Sequence, residues 1–312
     1  MRILFTGASS FTGYWFVRAL SEVGCEVVAP ITNSIGAYSD PLRKSRIEGV
    51  GHFARVVECA PFGSKPFIDL LDENFDILCH HGAFVRDYRS PDFDIILAIS
   101  NNTLNIREVA RKASDRGVSA LVVTGSVFEN REGSGTLPLR AFSPYGLSKA
   151  VTADICEFHA HTSGLRYGKF VIANPFGPYE DPRFGSYLMR TWLGGGVARV
   201  NTPMYVRDNI HVDLLALEYA AFCLDLAQGG NRTRAAPSGY AEQQGAFASR
   251  FASEVRLRTG LECHLELATQ TDFNEPLVRI NTDPAVSRHV KWDASAAWDA
   301  VVEFYARRTE TH

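Results

Sequence analysis

The stretch that decides the fold stands at the start of the chain, where residues 2–5 read RILF and residues 6–13 read TGASSFTG. The apolar run predicts a buried strand, and the glycines predict a sharp turn into a helix. In such a turn the first glycine allows the bend, the last lets helix and strand pack closely, and the helix N-terminus offers N–H groups to a pyrophosphate. The usual middle glycine is Ser10 here. We expect a dinucleotide-binding turn formed by Gly7, Ser9, Ser10, Phe11, Thr12 and Gly13.

Short apolar runs continue to alternate with amphipathic stretches through the first half of the chain. We predict strands at residues 2–5, 26–29, 55–57, 77–79, 121–124 and 169–173, and helices at residues 13–23, 67–71, 95–116 and 144–162. Strand–helix–strand units at this spacing predict an α/β fold, a doubly wound parallel-sheet Rossmann fold with helices on both faces.

The strand–helix alternation weakens after Asn174, where turn signals become dense. We therefore expect an NAD(P)-binding domain at residues 1–173, with returns from about residues 205–228. Residues 174–204 and 229–312 are expected to form mainly a smaller, interleaved substrate-binding domain. Within the latter, residues 229–245 are predicted to be a loop and residues 307–312 a frayed helix end.

Composition excludes several classes of protein. The 312 residues include 32 Lys and Arg against 35 Asp and Glu, a net charge of −3, which argues against a nucleic-acid binder that relies on bulk positive charge. No apolar run is long enough for a membrane span. The six scattered cysteines are expected to be reduced, buried and structural, and the protein cytoplasmic. No metal is expected, because the adjacent His80 and His81 would point to opposite faces of a strand.

The second predicted strand ends without the acidic residue that holds the ribose 2′-hydroxyl of NAD. Thr32 and Asn33 follow it instead, and both can hydrogen-bond a phosphate. Basic residues lie downstream: Arg43, Lys44 and Arg46. We expect NADP(H) rather than NAD, with NAD still possible. The alternative is that the basic cluster is merely a solvated helix face.

Tyr145 and Lys149 are four residues apart at the start of a predicted helix, so they share one face. An ammonium near a phenol stabilises the phenolate, which makes the tyrosine a usable proton donor or acceptor. Thr124 and Ser126 end a hydrophobic strand upstream, at the sheet edge where ligands bind in α/β proteins. The glycine-rich turn, the strand-end hydroxyl and the Tyr–Lys pair occur in the order expected of one active site.

With these motifs the sequence resembles the extended short-chain dehydrogenase/reductase family, the NAD(P)-dependent epimerases and reductases of nucleotide sugars. The resemblance covers nearly the whole chain. It implies that the backbone at His81, Gly82 and Ala83 lines the cofactor, together with Tyr145 and Lys149. It also places the catalytic hydroxyl on Thr124, with Ser126 nearby.

The same resemblance implies a nucleotide-diphosphate sugar as the substrate. Its binding residues would be Asn174, Arg207 and, less surely, Arg279, the two arginines clamping the diphosphate. The alternative is that both are ordinary surface arginines. Family members often form homodimers through a four-helix bundle, which would here use residues 95–116 and 144–162.

Departures from the family pattern narrow the expected reaction. Gly125 and Ser126 stand where related dehydratases carry an acidic pair, so elimination of water is disfavoured. Glu129 could serve as an acid or base, but a solvated loop carboxylate is the favoured interpretation. The missing acid at the second strand favours NADPH-dependent reduction of a nucleotide-linked 4-keto-6-deoxy sugar. A nucleotide-sugar 4-epimerase with bound NAD is the alternative, and a non-catalytic NADP-binding protein is a third.

Overall fold

The computed structural model describes residues 1–285 and 292–309 of the chain. The strands are β1 (Arg2–Thr6), β2 (Glu26–Pro30), β3 (Ala54–Val57), β4 (Ile77–His80), β5 (Ala120–Ser126), β6 (Ser134–Gly135), β7 (Arg166–Ile172), β8 (Asn174–Phe176), β9 (Ala198–Val200), β10 (Val206–His211), β11 (Arg234–Ala235), β12 (Pro237–Ser238), β13 (Tyr240–Gln243), β14 (Leu265–Leu267), β15 (Val278–Ile280) and β16 (Asp283–Pro284). The helices are α1 (Phe11–Glu22), α2 (Pro41–Val50), α3 (Lys65–Leu70), α4 (Ile95–Asn102), α5 (Ile106–Asp115), α6 (Pro144–Thr162), α7 (Phe184–Leu193), α8 (Val212–Ala227), α9 (Gln244–Thr259) and α10 (Ala294–Thr309), with a 3₁₀ turn at Ile35–Ala37.

The chain folds into two compact units. The first comprises residues 1–132, 140–172 and 216–236, and the second comprises residues 133–139, 173–215 and 237–312. The return into the first unit therefore differs from the expected residues 205–228. The reason is that β10 pairs with β8, β13 and β15, all in the second unit, and not with the larger sheet.

A parallel sheet of seven strands forms the first unit, in the order β11-β7-β5-β4-β1-β2-β3. The chain moves outward from β1 in one direction through β2 and β3 and in the other through β4, β5 and β7. The strand order thus reverses between β1 and β4, which makes their carboxyl ends the place where a ligand binds in such sheets. The predicted Rossmann fold is confirmed.

The central strands are buried on both faces, as their near-continuous apolar sequences require. One face packs against Phe67, Val109 and Cys156, among other buried residues. The other face carries an aromatic cluster in which the rings of Phe16 and Tyr219 stack with centroids 4.0 Å apart. This double-sided packing fixes the strands whose ends carry the functional residues.

Two sequence predictions about secondary structure are wrong in detail. Residues 95–116 form two helices, α4 and α5, because Asn105 has φ +49° and its side-chain amide donates to the Gly63 carbonyl. Asparagine tolerates this left-handed conformation, which cannot continue a helix. Residues 229–245 are not a loop, since they contain β11, β12, β13 and the start of α9. At the C-terminus α10 extends to Thr309, and residues 310–312 lie outside the described part.

A five-stranded sheet lies in the second unit, with the order β13-β10-β15-β6 and β8 paired to β10. Its core is aromatic: Phe176, Phe247, Phe251 and Trp298 are buried and pack against one another. The unit thus has a hydrophobic core of its own, which holds β10 and β15 in place.

All six cysteines are free, and five of them are buried. Cys59 is exposed, which corrects the expectation that every cysteine is buried. Within residues 1–285 and 292–309, no group of three His, Cys, Asp or Glu side chains is arranged to hold a metal ion. No helix among the same residues is long and apolar enough to cross a membrane.

Glu180, in the second unit, is a buried carboxyl that accepts a hydrogen bond from the Tyr305 hydroxyl at 3.0 Å. Burial raises its pKa to about 7, and the nearby Arg183 only partly opposes that rise. The folded protein therefore holds this proton more tightly than the unfolded chain does. Stability from this group is fully present below the ordinary pKa of 4.5 and is lost as pH rises through 7.

We predict that Glu180→Gln flattens this pH dependence, because an uncharged amide still accepts from Tyr305 and needs no proton. At pH 8 the variant should exceed the wild type by about 1–3 kcal/mol in unfolding free energy. Thermal unfolding at pH 5, 6.5 and 8 measures the effect, with the exposed Glu266→Gln as the matched control. If the stabilities of Glu180→Gln and the wild type change in parallel with pH, ionisation of the Glu180 carboxyl does not destabilise the folded protein.

Candidate functional site

The glycine-rich turn between β1 and α1 is tightly packed against the end of β4. Gly7 has φ +81°, and a Cβ built there would lie 2.6 Å from the Gly82 nitrogen. A Cβ at Gly13 would lie 2.1 Å from the Gly7 carbonyl oxygen. Both positions therefore require glycine, for backbone conformation and for close approach. Because α1 begins at Phe11, the N–H groups of its first turn, at Phe11 and Thr12, have no partner within the helix.

Ser10, which replaces the usual middle glycine, caps this helix. Its hydroxyl accepts a hydrogen bond from the Gly13 N–H at 3.0 Å. The same oxygen lies 3.0 Å from Nε2 of His81, and the Thr12 hydroxyl lies 3.1 Å from that nitrogen. The side chain at position 10 thus points toward β4 and satisfies the Gly13 N–H, while the Phe11 and Thr12 N–H groups are not bonded within the helix.

At the end of β2, Thr32 and Asn33 are exposed, as a ribose-binding position requires. Arg43 reaches this region from α2: its Nε and Nη2 donate to the Ser9 hydroxyl at 3.1 and 3.0 Å. Its guanidinium also stacks on the Tyr38 ring, with Cζ 5.0 Å from the centroid. In the sequence Arg43 is only one member of a basic cluster, and the spacing of that cluster does not predict its contact with the turn.

That basic cluster is not simply a solvated helix face. Lys44 is exposed, but Arg43 is half-buried and Arg46 is only 2% exposed. Of these three basic residues, Arg43 therefore lies at the glycine-rich turn.

The segment after β4 carries His81, Gly82 and Ala83. The Gly82 N–H donates to the Thr6 hydroxyl at 2.9 Å, which ties this segment to the end of β1. His80 and His81 have separate partners: His80 lies near Thr6 and the Asn102 carbonyl, and His81 lies near Ser10, Thr12 and Thr124. The backbone of Gly82 thus lies beside that of Gly7, as expected if both segments line one cofactor.

Two residues of the predicted catalytic set, Thr124 and Lys149, meet at the end of β5. Lys149 is buried, and its ammonium donates to the Thr124 carbonyl at 2.5 Å. Burial lowers the pKa of Lys149, against the opposing charge of Glu129. Tyr145 lies one turn earlier on α6, half-buried, with the rings of Tyr88 and Phe93 at 5.4 and 6.0 Å. Ser143 caps this helix by accepting from the Gly146 N–H, so the start of α6 is fixed beside β5.

Ser126 and Glu129 follow Thr124. The Ser126 hydroxyl accepts from the Phe128 N–H at 3.2 Å, and the Ser126 N–H donates to the Glu129 carboxylate at 2.7 Å. The expectation of a solvated loop carboxylate at Glu129 is wrong, since this residue is fully buried and pairs with Lys169 at 2.7 Å. Burial raises the pKa of Glu129, and Lys169 opposes that rise. Lys169 comes from β7, forty residues later, so the local sequence gave no sign of the pair.

The residues of the first unit fit a dinucleotide. The bare backbone at Gly7 and the N-terminus of α1 suit a pyrophosphate, and the exposed hydroxyl and amide after β2 suit a ribose. Tyr145 and Lys149 would stand at the nicotinamide end. Sequence reasoning missed the Arg43–Ser9 contact and the contacts of the His81 side chain with Ser10, Thr12 and Thr124.

In the second unit, Asn174 lies on β8 opposite Asn209 of β10, and Arg207 and Arg279 are opposite each other on β10 and β15. Both arginines are buried, so the interpretation as ordinary surface residues is wrong. Arg207 donates to the Val206 and Pro276 carbonyls, each at 3.0 Å, and pairs with Glu275 at 2.7 Å. An anion would have to share this guanidinium with Glu275, which sequence reasoning did not identify.

Solved structures of nucleotide-sugar enzymes share the fold. A UDP-glucose-4-epimerase from Stenotrophomonas maltophila, with bound NAD and formylated UDP-arabinopyranose, is 18% identical with a TM-score of 0.75, covering 100% of both chains. A UDP-glucuronic acid 4-epimerase from Bacillus cereus, in complex with UDP-glucuronic acid and NAD, is 15% identical with a TM-score of 0.73, covering 99% of this chain and 100% of that one. DesIV, a dTDP-glucose 4,6-dehydratase from Streptomyces venezuelae, is 19% identical with a TM-score of 0.73, covering 100% of this chain and 98% of that one.

No curated protein sequence matches this chain. The family model described as the NAD dependent epimerase/dehydratase family matches residues 3–226, well over half of the sequence. The predicted kinship with NAD(P)-dependent enzymes of the extended short-chain dehydrogenase/reductase type is confirmed. The chain is an NAD(P)-dependent epimerase or oxidoreductase, and it belongs to the NAD-dependent epimerase/dehydratase family.

Proposed function

We propose that this enzyme inverts C4 of the sugar in a nucleotide-diphosphate sugar, as a 4-epimerase. The observation that carries the proposal is the bond from Lys149 to the Thr124 carbonyl at the carboxyl edge of a sheet whose first turn fits a dinucleotide, with Tyr145 one turn before Lys149 on α6. Several proteins with this fold are UDP-sugar 4-epimerases whose structures contain NAD. Dehydration is disfavoured, because Gly125 and Ser126 offer no acidic group after Thr124.

Each polar group has a role in this chemistry. A bound nicotinamide cofactor would supply the hydride chemistry, which is removal of a hydride from C4 and its return to the opposite face of the resulting ketone. Tyr145 takes the proton from the C4 hydroxyl on oxidation and returns one to the same oxygen on reduction. The Thr124 hydroxyl hydrogen-bonds that oxygen, and Lys149, held by the Thr124 carbonyl, favours the phenolate of Tyr145 and binds the nicotinamide ribose.

We expect Tyr145→Phe to lower turnover by about 10²- to 10⁴-fold, the usual contribution of a positioned acid–base group. Cofactor affinity, measured by fluorescence titration, should change little, because the ring and its neighbours remain. Leu147→Ala, at an exposed leucine two residues later on α6, is the matched control. Full turnover by Tyr145→Phe would remove this tyrosine from the mechanism.

One assay separates the candidate reactions. The protein is incubated with a panel of UDP- and dTDP-sugars and their 4-keto forms, with NAD or NADPH. Epimer formation without net change in cofactor absorbance supports the 4-epimerase. Stoichiometric loss of reduced-cofactor absorbance indicates a reductase, and cofactor binding without either reaction indicates a binding protein.

A second candidate, the NADPH-dependent 4-ketoreductase, is favoured by one specific contact. The guanidinium of Arg43 lies on Ser9 of the glycine-rich turn, and residues 31–34, directly after β2, include no acidic residue. Thr32 and Asn33 offer further donors there. Arginine is well suited to phosphate recognition. Preference for NADP(H) would point to reduction, since a reductase exchanges its cofactor at each turnover.

Under the NADP(H) hypothesis, Arg43→Ala should raise the Kd for NADPH by about 10- to 100-fold, since it removes a charge-assisted contact to the 2′-phosphate. The Kd for NADH should stay within about twofold. Lys44→Ala, exposed on the same helix, is the control and should alter neither Kd. Equal changes for the two cofactors, or none, would contradict a role for Arg43 in choosing NADP(H).

The substrate residues are proposed to be Asn174, Arg207 and Arg279, with Arg207 holding the diphosphate. Its guanidinium stacks on Tyr205, with Cζ 4.5 Å from the ring centroid, and its Nη1 donors are already aligned by backbone carbonyls. Glu275 is half-exposed and pairs with the same guanidinium. A diphosphate would compete with this carboxylate for Arg207.

We also propose a homodimer that buries α4 and α6 in a four-helix bundle. Ile96 and Leu97 of α4 are 71% and 46% exposed, and Phe158 of α6 is 62% exposed. The six free cysteines suit a reducing compartment, so we place the protein in the cytoplasm.

Phe158→Lys should convert the dimer into a monomer in sedimentation velocity, because a charge would be buried at the interface. Leu257→Lys is the control, since Leu257 on α9 is 79% exposed and lies outside the proposed interface, and it should leave the dimer intact. A wild-type monomer, or a dimer in both variants, would rule out this interface.

A further inference from the structure

His81 joins the glycine-rich turn to the proposed catalytic hydroxyl through one imidazole ring. Its Nε2 lies 3.0 Å from the Ser10 oxygen and 3.1 Å from that of Thr12. Its Nδ1 lies 3.0 Å from the Thr124 oxygen. The ring is wedged between Phe5 and Phe16, with centroids 5.5 and 5.1 Å away, so it has little freedom to rotate.

The contacts of Ser10 favour one of the two neutral tautomers of His81. The Ser10 oxygen accepts from the Gly13 N–H, and its own proton is then available to donate to Nε2 of His81. With Nε2 as an acceptor, the neutral ring carries its proton on Nδ1. In that tautomer the N–H donates to the Thr124 oxygen, which lies 3.0 Å away.

This direction matters for the chemistry of Thr124. A hydroxyl that accepts from His81 keeps its own proton for another partner. The opposite tautomer would draw the Thr124 proton toward Nδ1 and leave none for a substrate oxygen. The arrangement therefore prepares Thr124 as a hydrogen-bond donor before any substrate arrives.

We propose that His81 is a positioning residue that holds the Thr124 hydroxyl, by donation from Nδ1, in the orientation that donates to the sugar C4 oxygen. The inference rests on the proposed function of Thr124. It also accounts for Ser10, whose hydroxyl sets the tautomer of His81 from the helix cap. Side-chain hydrogen bonds from Ser10 to His81 and from His81 to Thr124 in this way join the glycine-rich turn to β5.

The electrostatic setting keeps the ring neutral. Burial, together with the nearby Lys149 charge, lowers the pKa of His81 to about 3. The ring holds one proton over the whole pH range in which the enzyme would work. Its action is therefore geometric, and His81 adds no titration of its own to a pH–rate profile near neutrality.

A double-mutant cycle tests this coupling. His81→Leu should lower kcat about 10-fold in the wild-type background and by less than about twofold in a Thr124→Ala background, because the group it positions is then absent. His81→Asn, whose amide can donate from the place of Nδ1, should recover most of the lost kcat. If His81→Leu lowers kcat equally in both backgrounds and His81→Asn recovers none of the loss, His81 contributes only packing and the proposal is wrong.

His80→Leu is the matched control. His80 is also buried and hydrogen-bonded through both ring nitrogens, but its partners are Thr6 and the Asn102 carbonyl. Its effect on kcat should be the same with and without Thr124. Coupling of the same size at His80 would show that the cycle reports general damage, and would overturn the assignment.

A measurement without substrate separates this inference from the proposed function. Nitrogen-15 NMR of histidine-labelled protein should show His81 with a protonated Nδ1 and a bare Nε2, and Ser10→Ala should shift the Nε2 signal. A protonated Nε2 overturns the inference whatever the enzyme does. If Thr124→Ala keeps full kcat while the Nδ1 tautomer is present, the hydrogen bond exists but the catalytic role proposed for Thr124 is wrong.

Discussion

The close approach of two backbones, at Gly7 after β1 and at Gly82 after β4, is the constraint on which the rest of the first unit depends. A single methyl group at Gly7 would lie 2.6 Å from the Gly82 nitrogen, so neither segment could hold its place with a larger residue there. The Thr6 hydroxyl fixes the approach by accepting from the Gly82 N–H. This contact stands where the strand order reverses, and it brings the start of α1 within reach of the residues after β4 and β5.

From that contact, polar groups extend in two directions over the sheet edge. Toward β2 lies Arg43 on Ser9, the contact on which the proposed preference for NADP(H) rests. Toward β5 lies His81, between Ser10 and Thr124, and then Lys149 on the Thr124 carbonyl. Most of these groups are buried, where an unsatisfied polar atom is costly, so each bond also fixes the geometry of its neighbours. Packing and chemistry therefore rest on the same few side chains.

Much of this could be predicted from the sequence because the signals are local. The first strand and glycine-rich turn, the exact bounds of α6 and the four-residue spacing of Tyr145 and Lys149 all depend on residues close together in the chain. Predictions that needed distant partners were less successful. Glu129 looked like a loop carboxylate because its partner Lys169 lies on another strand. The split of residues 95–116 depends on the Gly63 carbonyl, which holds Asn105 in a left-handed conformation.

By itself, the sequence determined the class of fold, the family and the identity of the proposed catalytic pair, since short-range periodicity and spacing encode strand, helix and turn. Only the tertiary structure decided which way those side chains are directed. It brought Ser10, His81 and Thr124 together across more than one hundred residues, buried Arg207 beside Glu275, and placed Arg43 on Ser9. The physical reason is that parallel strands bring their carboxyl ends to one edge whatever their separation in sequence, and burial then makes each polar group find a partner there.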